Sequence, residues 1–284
     1  MKRRTFLAGF GGATAWLILP TLCPAPAAAA PFSPTRFSVQ VRGVGPDVIL
    51  IPGLAASRGI WSSTVAAVPG YRYHLVQVAG FAGEPARGNG RGPVVAPLAE
   101  EIARYIAGNG LHRPAIIGHS MGGTVAMMVA SRHPDRVGKV MVVDMLPQPS
   151  GLVGSTAEGA RGLAESLRGL TETPGGRALV ASMIGLFGDP ADSGVRSDPD
   201  VVARATHDLA GLDLTPELPR IRAPLTIVYA ASEPAVRQAR DAEFAGAYRA
   251  RPGTRLVRID DSGHMIMYDQ PTRFRDVMRA FLGD

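Results

Sequence analysis

The sequence predicts an α/β protein, a mostly parallel central sheet flanked by helices with a small helical cap inserted over one edge. Three observations predict it. β-branched, nearly continuous apolar runs recur along the chain, segments of helical period lie between them, and one long interval breaks the alternation.

The first 30 residues stand apart. "MKRRTFLAGFGGATAWLILPTLCPAPAAAA" has a basic start, a short apolar centre and an alanine-rich end, the anatomy of a secretory signal. Arg3 and Arg4 followed by Thr5, Phe6 and Leu7 resemble the twin-arginine type, which exports folded proteins. A membrane span needs about 20 apolar residues, and Pro20, Pro24 and Pro26 interrupt this stretch. The expectation is therefore export to the periplasm or beyond, with cleavage beside Ala25-Pro26-Ala27 or Ala27-Ala28-Ala29 and no span remaining. Cys23, the single cysteine, lies inside this segment behind Leu22, where lipid attachment would want a small residue. The mature chain then has neither a thiol nor a disulfide.

From Pro31 onward the elements follow in order. "DVILIPG", "YHLVQVAG", "PAIIGHS", "VGKVMVVDM", "APLTIVYA" and "TRLVRID" read as strands buried on both faces of a parallel sheet. "VVAPLAEEIARYIAGNG" places Leu98, Ile102, Tyr105 and Ile106 on one helical face and stops at glycine, and "GGTVAMMVASRHPDRV" is helical until Pro134. After Asp144, about 75 residues pass before the next strand, rich in Gly, Pro, Ser and Asp; an unstructured loop of that length is improbable in a compact domain. The reading is a core over residues 31–146 and 220–284 and a helical cap over 147–219, with "GRALVASMIGLF" as one of its helices.

Charge excludes one class of partner. Of 30 basic side chains, Lys2, Arg3 and Arg4 fall in the leading segment, leaving 27 against 24 acidic, too mild an excess for a nucleic-acid surface. No Cys/His metal spacing and no glycine-rich phosphate loop occurs, so no metal and no cofactor is expected. The expected partner is a small-molecule substrate.

Gly118-His119-Ser120-Met121-Gly122 fits G-x-S-x-G, and it stands between a predicted strand and a predicted helix, as a nucleophile elbow requires. A structural turn would need the glycines but not the serine. Flanking glycines avoid clashes where strand and helix nearly touch, while the sharp turn holds the serine in a strained conformation.

With this elbow the chain resembles the α/β-hydrolase superfamily, and the resemblance covers nearly all of the sequence after residue 30. "ILIPGLAASRGIW" resembles the family's first core strand and oxyanion turn, "VAGFAG" the loop after the next strand, "IIGHSMGG" the elbow, and "DDSGHMIMYDQP" the loop that carries the catalytic histidine. The resemblance implies a serine hydrolase. Ser120 would be the nucleophile, activated by a base because a hydroxyl is weak at neutral pH. Among six histidines, His264 stands where the family places that base. "VYAASEPA" resembles the family's Gly-x-x-Asp-Pro, which puts Glu233 at the acid, although Ala230 replaces the glycine; Asp144, closing "VMVVD", is the rival acid. The backbone N–H groups of Leu54 and Met121 would form the oxyanion hole.

The implied reaction is cleavage of a carboxylic ester through an acyl-enzyme. Amide or peptide cleavage and cofactor-free lyase or perhydrolase chemistry are alternatives on the same fold, and a catalytically silent small-molecule-binding protein is the alternative of another class. Met145, Leu146, Met183, Phe187 and Met265, in the cap or beside the triad loops, suggest an apolar acyl site, although each alone reads as ordinary core.

Overall fold

The computed structural model of the chain describes residues 32–149, 173, 175, 176 and 196–283. The secretory signal read over residues 1–30 lies outside these, as does most of the interval read as a cap.

Seven strands make one sheet: β1 (Phe37–Arg42), β2 (Asp47–Ile51), β3 (Arg72–Val78), β4 (Ala115–His119), β5 (Lys139–Val143), β6 (Leu225–Ala231) and β7 (Arg255–Asp260). Their spatial order is β1-β3-β2-β4-β5-β6-β7. Only β1 is antiparallel, paired with β3 along the sheet edge. The others are parallel, and among the described residues the α-helices between and after them are α1 (Ser62–Ala67), α2 (Val95–Gly108), α3 (Met121–Arg132), α4 (Pro199–Ala210), α5 (Arg237–Ala247), α6 (Ile266–Asp269) and α7 (Pro271–Gly283).

Alternation along each strand builds two cores. In β2, Ile49 and Ile51 join the layer formed by α2, α3, α4 and α5, while Val48 and Leu50 face Trp61 and the α7 residues Phe274, Met278 and Phe281. Both faces of the central strands are therefore covered, which is why β2, β4, β5 and β6 are largely apolar, while β3 and β7 keep polar residues such as His74, Gln77 and Arg258. Strand β1 differs. Its burial fades from Phe37 to exposed Gln40, Val41 and Arg42, so it reads as a mixed sequence and was not among the six expected strands.

The described part of the cap interval packs onto the core. Asp198 caps α4 by accepting from the N–H groups of Asp200 and Val201, and Val201, Val202, Ala205 and Leu209 are buried in the core layer. Asp208 reaches across to accept from the free N–H groups of Val94 and Val95 at the start of α2, at 2.6 and 3.0 Å. The helix expected over "GRALVASMIGLF" falls almost wholly outside the described residues.

The topology also locates a crevice. From β2 the chain moves outward to β3, then returns to place β4 on the other side of β2. The carboxyl ends of β2 and β4 thus flank a switch point, where open α/β sheets bind ligands.

Candidate active site

Ser120 sits between the last residue of β4 and the first of α3 with φ 52° and ψ −123°, a left-handed strain that a serine rarely adopts. Its neighbours enforce the turn. A Cβ on Gly118 would lie 2.0 Å from the carbonyl oxygen of Gly122, and a Cβ on Gly122 would lie 2.3 Å from that of Ile51 and 2.7 Å from that of Pro52. Strand, helix and the end of β2 therefore meet at van der Waals distance only because both positions lack a side chain. The serine's N–H donates to the Val143 carbonyl at 2.9 Å, and its own carbonyl accepts from Gly123 and Thr124.

The turn after β2 lies directly on this elbow. A Cβ on Gly53 would stand 3.1 Å from Ser120 Cβ and 3.0 Å from His119 Nδ1. Among the described residues, the backbone N–H groups of Leu54 and Met121 donate to no other group. Met121 is the first residue of α3, where N–H groups have no partner within the helix. These are the two N–H groups that the sequence reading named.

His264 hangs on the loop after β7, and three bonds fix that loop. Gly263 N–H donates to Asp269, Gln270 donates to the Asp261 carbonyl, and His119 Nε2 donates to the carbonyl of His264 itself at 3.0 Å. The His264 side chain is one-third exposed, and its Nδ1 lies 2.7 Å from Asp144 Oδ2. No hydrogen bond joins Ser120 and His264 among the described residues, a bond that often tightens only around substrate.

The partner of His264 corrects one expectation. Glu233, placed first by sequence, is exposed, and its carboxylate makes no hydrogen bond or ion pair among the described residues, its backbone carbonyl alone accepting from Val236 N–H. Strand β6 runs on to Ala231, and Glu233 follows it in extended conformation at the start of the next turn. The rival Asp144 is the residue that meets His264. It directly follows β5 with φ 49°, a second strained residue at a strand end, and its side chain is 5% exposed. Its Oδ1 accepts from Ala230 N–H at 3.0 Å and from Arg240 at 3.2 Å, so both oxygens are engaged.

His119 is a site residue that sequence treated only as the variable position of the elbow. Burial, reinforced by the neighbouring His264, pushes its pKa down to about 3. It is therefore neutral, and donation from Nε2 leaves Nδ1 as an acceptor with no partner among the described residues. Its ring centroid lies 4.6 Å from that of His264. Arg240, on α5, was also missed, since a single arginine among many carries no local signal.

The expected acyl-site residues separate. Met145 and Leu146, directly after Asp144, are buried within the main core. Met265, beside His264, is half-buried against the second core. Met183 and Phe187 lie outside the described residues. No cluster of three metal-ligating side chains occurs among the described residues.

A strained serine on a strand-to-helix elbow, two unengaged N–H groups beside it and a histidine backed by an aspartate make a serine-hydrolase arrangement. The alpha/beta hydrolase family pattern matches residues 48–277, and the chain belongs to that family. It is an esterase-like hydrolase. A pimeloyl-[acyl-carrier protein] methyl ester esterase of Aeromonas hydrophila is 26% identical over an alignment of 261 residues that covers 87% of this chain and 99% of that one. Among solved structures, the enol-lactonase from Burkholderia xenovorans superposes with a TM-score of 0.70 at 21% identity, covering 87% of this chain and 96% of that one. An esterase from Exiguobacterium antarcticum gives 0.69 at 21% identity over the same shares.

Proposed function

We propose that the protein hydrolyses a carboxylic ester through an acyl-enzyme, with Ser120 as nucleophile, His264 as base, Asp144 as the acid and the Leu54 and Met121 N–H groups as oxyanion hole. The observation that carries the reading is the 2.7 Å contact of His264 Nδ1 with Asp144 Oδ2, on a loop bonded to the elbow residue next to Ser120.

The steps follow from the atoms. His264 Nε2 takes the Ser120 proton as Oγ attacks the carbonyl carbon, while Nδ1–H stays donated to Asp144, which stabilises the imidazolium. The carbonyl oxygen becomes negative between the two backbone N–H groups. Collapse expels the alcohol, which leaves with the proton from Nε2. Water then attacks the acyl-enzyme, gives its proton to His264, and the acid product departs as Ser120 Oγ recovers that proton.

The relative named as a methyl ester esterase supports an ester with a small alcohol, and half-buried Met265 beside His264 supports an apolar acyl group. The substrate is a small molecule, and the chemistry calls for no cofactor. Residues 1–30 are proposed to export the enzyme, on the sequence pattern alone.

A fluorophosphonate, which labels only an activated serine, tests the central claim on the purified protein. Wild type labels at Ser120; Ser120→Ala does not label and loses at least about a thousandfold in ester turnover, because the acyl-enzyme path is gone. Ester hydrolysis at the wild-type rate in that variant would end the proposal. A panel of methyl esters of graded acyl length then reads the substrate, with kcat/KM rising with chain length until the acyl site is filled.

A further inference from the structure

The acid of the site is held by a cation. Arg240 Nη2 stands 3.2 Å from Asp144 Oδ1, the oxygen that does not face His264. The same guanidinium is fixed on three other sides: Nε donates to the Ala230 carbonyl at 3.2 Å, Nη1 donates to Glu243 at 2.7 Å, and its plane lies 4.8 Å from the Phe244 ring centroid. Its side chain is 21% exposed. A group so fully committed in its hydrogen bonds and so partly desolvated is placed, not draped over the surface. Ala230 thus takes part twice, its N–H on Asp144 Oδ1 and its carbonyl on Arg240 Nε, which closes a ring of bonds between the ends of β5 and β6 and the helix α5.

We propose that Arg240 is a positioning residue for the acid. Resting on the reading of Asp144 as the triad acid, the proposal gives the guanidinium two effects. It fixes the Asp144 carboxylate so that Oδ2 alone is presented to His264, and its positive charge opposes the second positive charge that His264 acquires during the reaction. The first effect helps turnover, since a misplaced acid misaligns the base. The second sets where the acidic limb of the pH profile falls, because a cation beyond the carboxylate weakens its hold on a protonated imidazole.

The charged and titratable groups around this cluster are few. Among the described residues, Asp144 is faced by His264 from the loop after β7, by Arg240 from α5, by the buried Tyr248 hydroxyl just past the end of α5, and by His119 from β4. Arg240 is faced in addition by Glu243, itself one-third exposed, and by Tyr229 of β6, whose hydroxyl burial keeps protonated. His119 and Tyr248 stay neutral through the working range, the first with its pKa near 3 and the second with burial holding its hydroxyl protonated. Among the described residues that face the acid and its arginine, Arg240 and Glu243 carry the fixed charge, and they have opposite signs.

The test is a set of pH–rate profiles on purified full-length enzyme with an aryl ester probe, measured for wild type, Arg240→Met, Arg240→Lys and Glu243→Gln. Arg240→Met is expected to lower kcat roughly ten- to a hundredfold with KM nearly unchanged, and to move the acidic limb of kcat/KM upward by about half a pH unit or more. Arg240→Lys restores the limb, because the charge returns, but not the full kcat, because the fork does not. Glu243→Gln moves the limb the other way. A merely structural arginine would change the thermal midpoint and leave the limb where it was, and that outcome overturns the proposal. Asp144→Asn is measured in parallel: if it keeps wild-type turnover, the underlying assignment of the acid falls, and a null result at Arg240 is then distinguished from a failure of that assignment.

Discussion

Asp144 Oδ2 lies 2.7 Å from His264 Nδ1, and the other oxygen of the same carboxylate is held by the Ala230 N–H. The acid cannot rotate without breaking a buried bond, so it presents one oxygen to the imidazole. Residues 120 positions apart are joined in this way by the ends of β5 and β7.

The first prediction tests that pairing against its rival. Asp144→Asn should lose about two to four powers of ten in kcat, because the amide favours the wrong imidazole tautomer and cannot balance the imidazolium. Glu233→Gln, at an exposed carboxylate with no partner among the described residues, should stay within about twofold of wild type. Steady-state kinetics with folding monitored by circular dichroism decides it, and a larger loss at Glu233 reverses the assignment.

The contrast between these two acids shows what a sequence carries. Six strands were legible because each carries consecutive apolar residues, and β1 was not, because Gln40 and Arg42 face solvent and break the run. Ser120 was legible because its constraint is local: two glycines and a change of period mark it. His264 came from the resemblance of its loop. The partner of His264 depends on which strand end lies beside that loop in space, and no spacing records that Asp144 must reach Ala230, 86 residues on. The pairing of His119 with the carbonyl of His264, across 145 residues, is equally silent in the sequence.

A second prediction concerns the elbow. Gly122→Ala places a methyl group 2.3 Å from the Ile51 carbonyl oxygen and 2.7 Å from that of Pro52, both backbone atoms that cannot swing aside. The variant should be less stable by roughly 1–3 kcal/mol, the usual cost of overpacking. It should also lose most fluorophosphonate reactivity, because relief of the clash displaces Ser120 from the Gly53 turn. Denaturant unfolding and labelling rates measured on the same preparation would contradict this if both matched wild type.

A third prediction addresses export. Residues 1–30 fused to a folded reporter should carry it across the membrane, and Arg3→Lys with Arg4→Lys should block this by disabling the twin-arginine pattern. Equal transport of both fusions in fractionated cells would assign the segment to the general secretory route instead.

The last prediction comes from His119 and runs through stability, not turnover. In the folded protein burial holds its pKa down to about 3, whereas in the unfolded chain an imidazole titrates near its ordinary 6.5. Below pH 6.5 the unfolded state binds a proton that the folded state refuses, so stability falls as pH drops from there toward 3, and above that window the residue contributes no pH dependence. Between pH 7.5 and 4.5 this single group should withdraw about 2–3 kcal/mol. His119→Gln has no such titration, and its side-chain amide retains a donor for the His264 carbonyl. The variant should begin less stable at pH 7.5, having lost a fitted ring, yet lose less on acidification than wild type does. Urea unfolding of both proteins at the two pH values measures the difference directly. Equal losses would mean that the His119 ring accepts a proton in the folded state, and that the neutral Nε2–H tautomer holding the His264 loop is not the resting form.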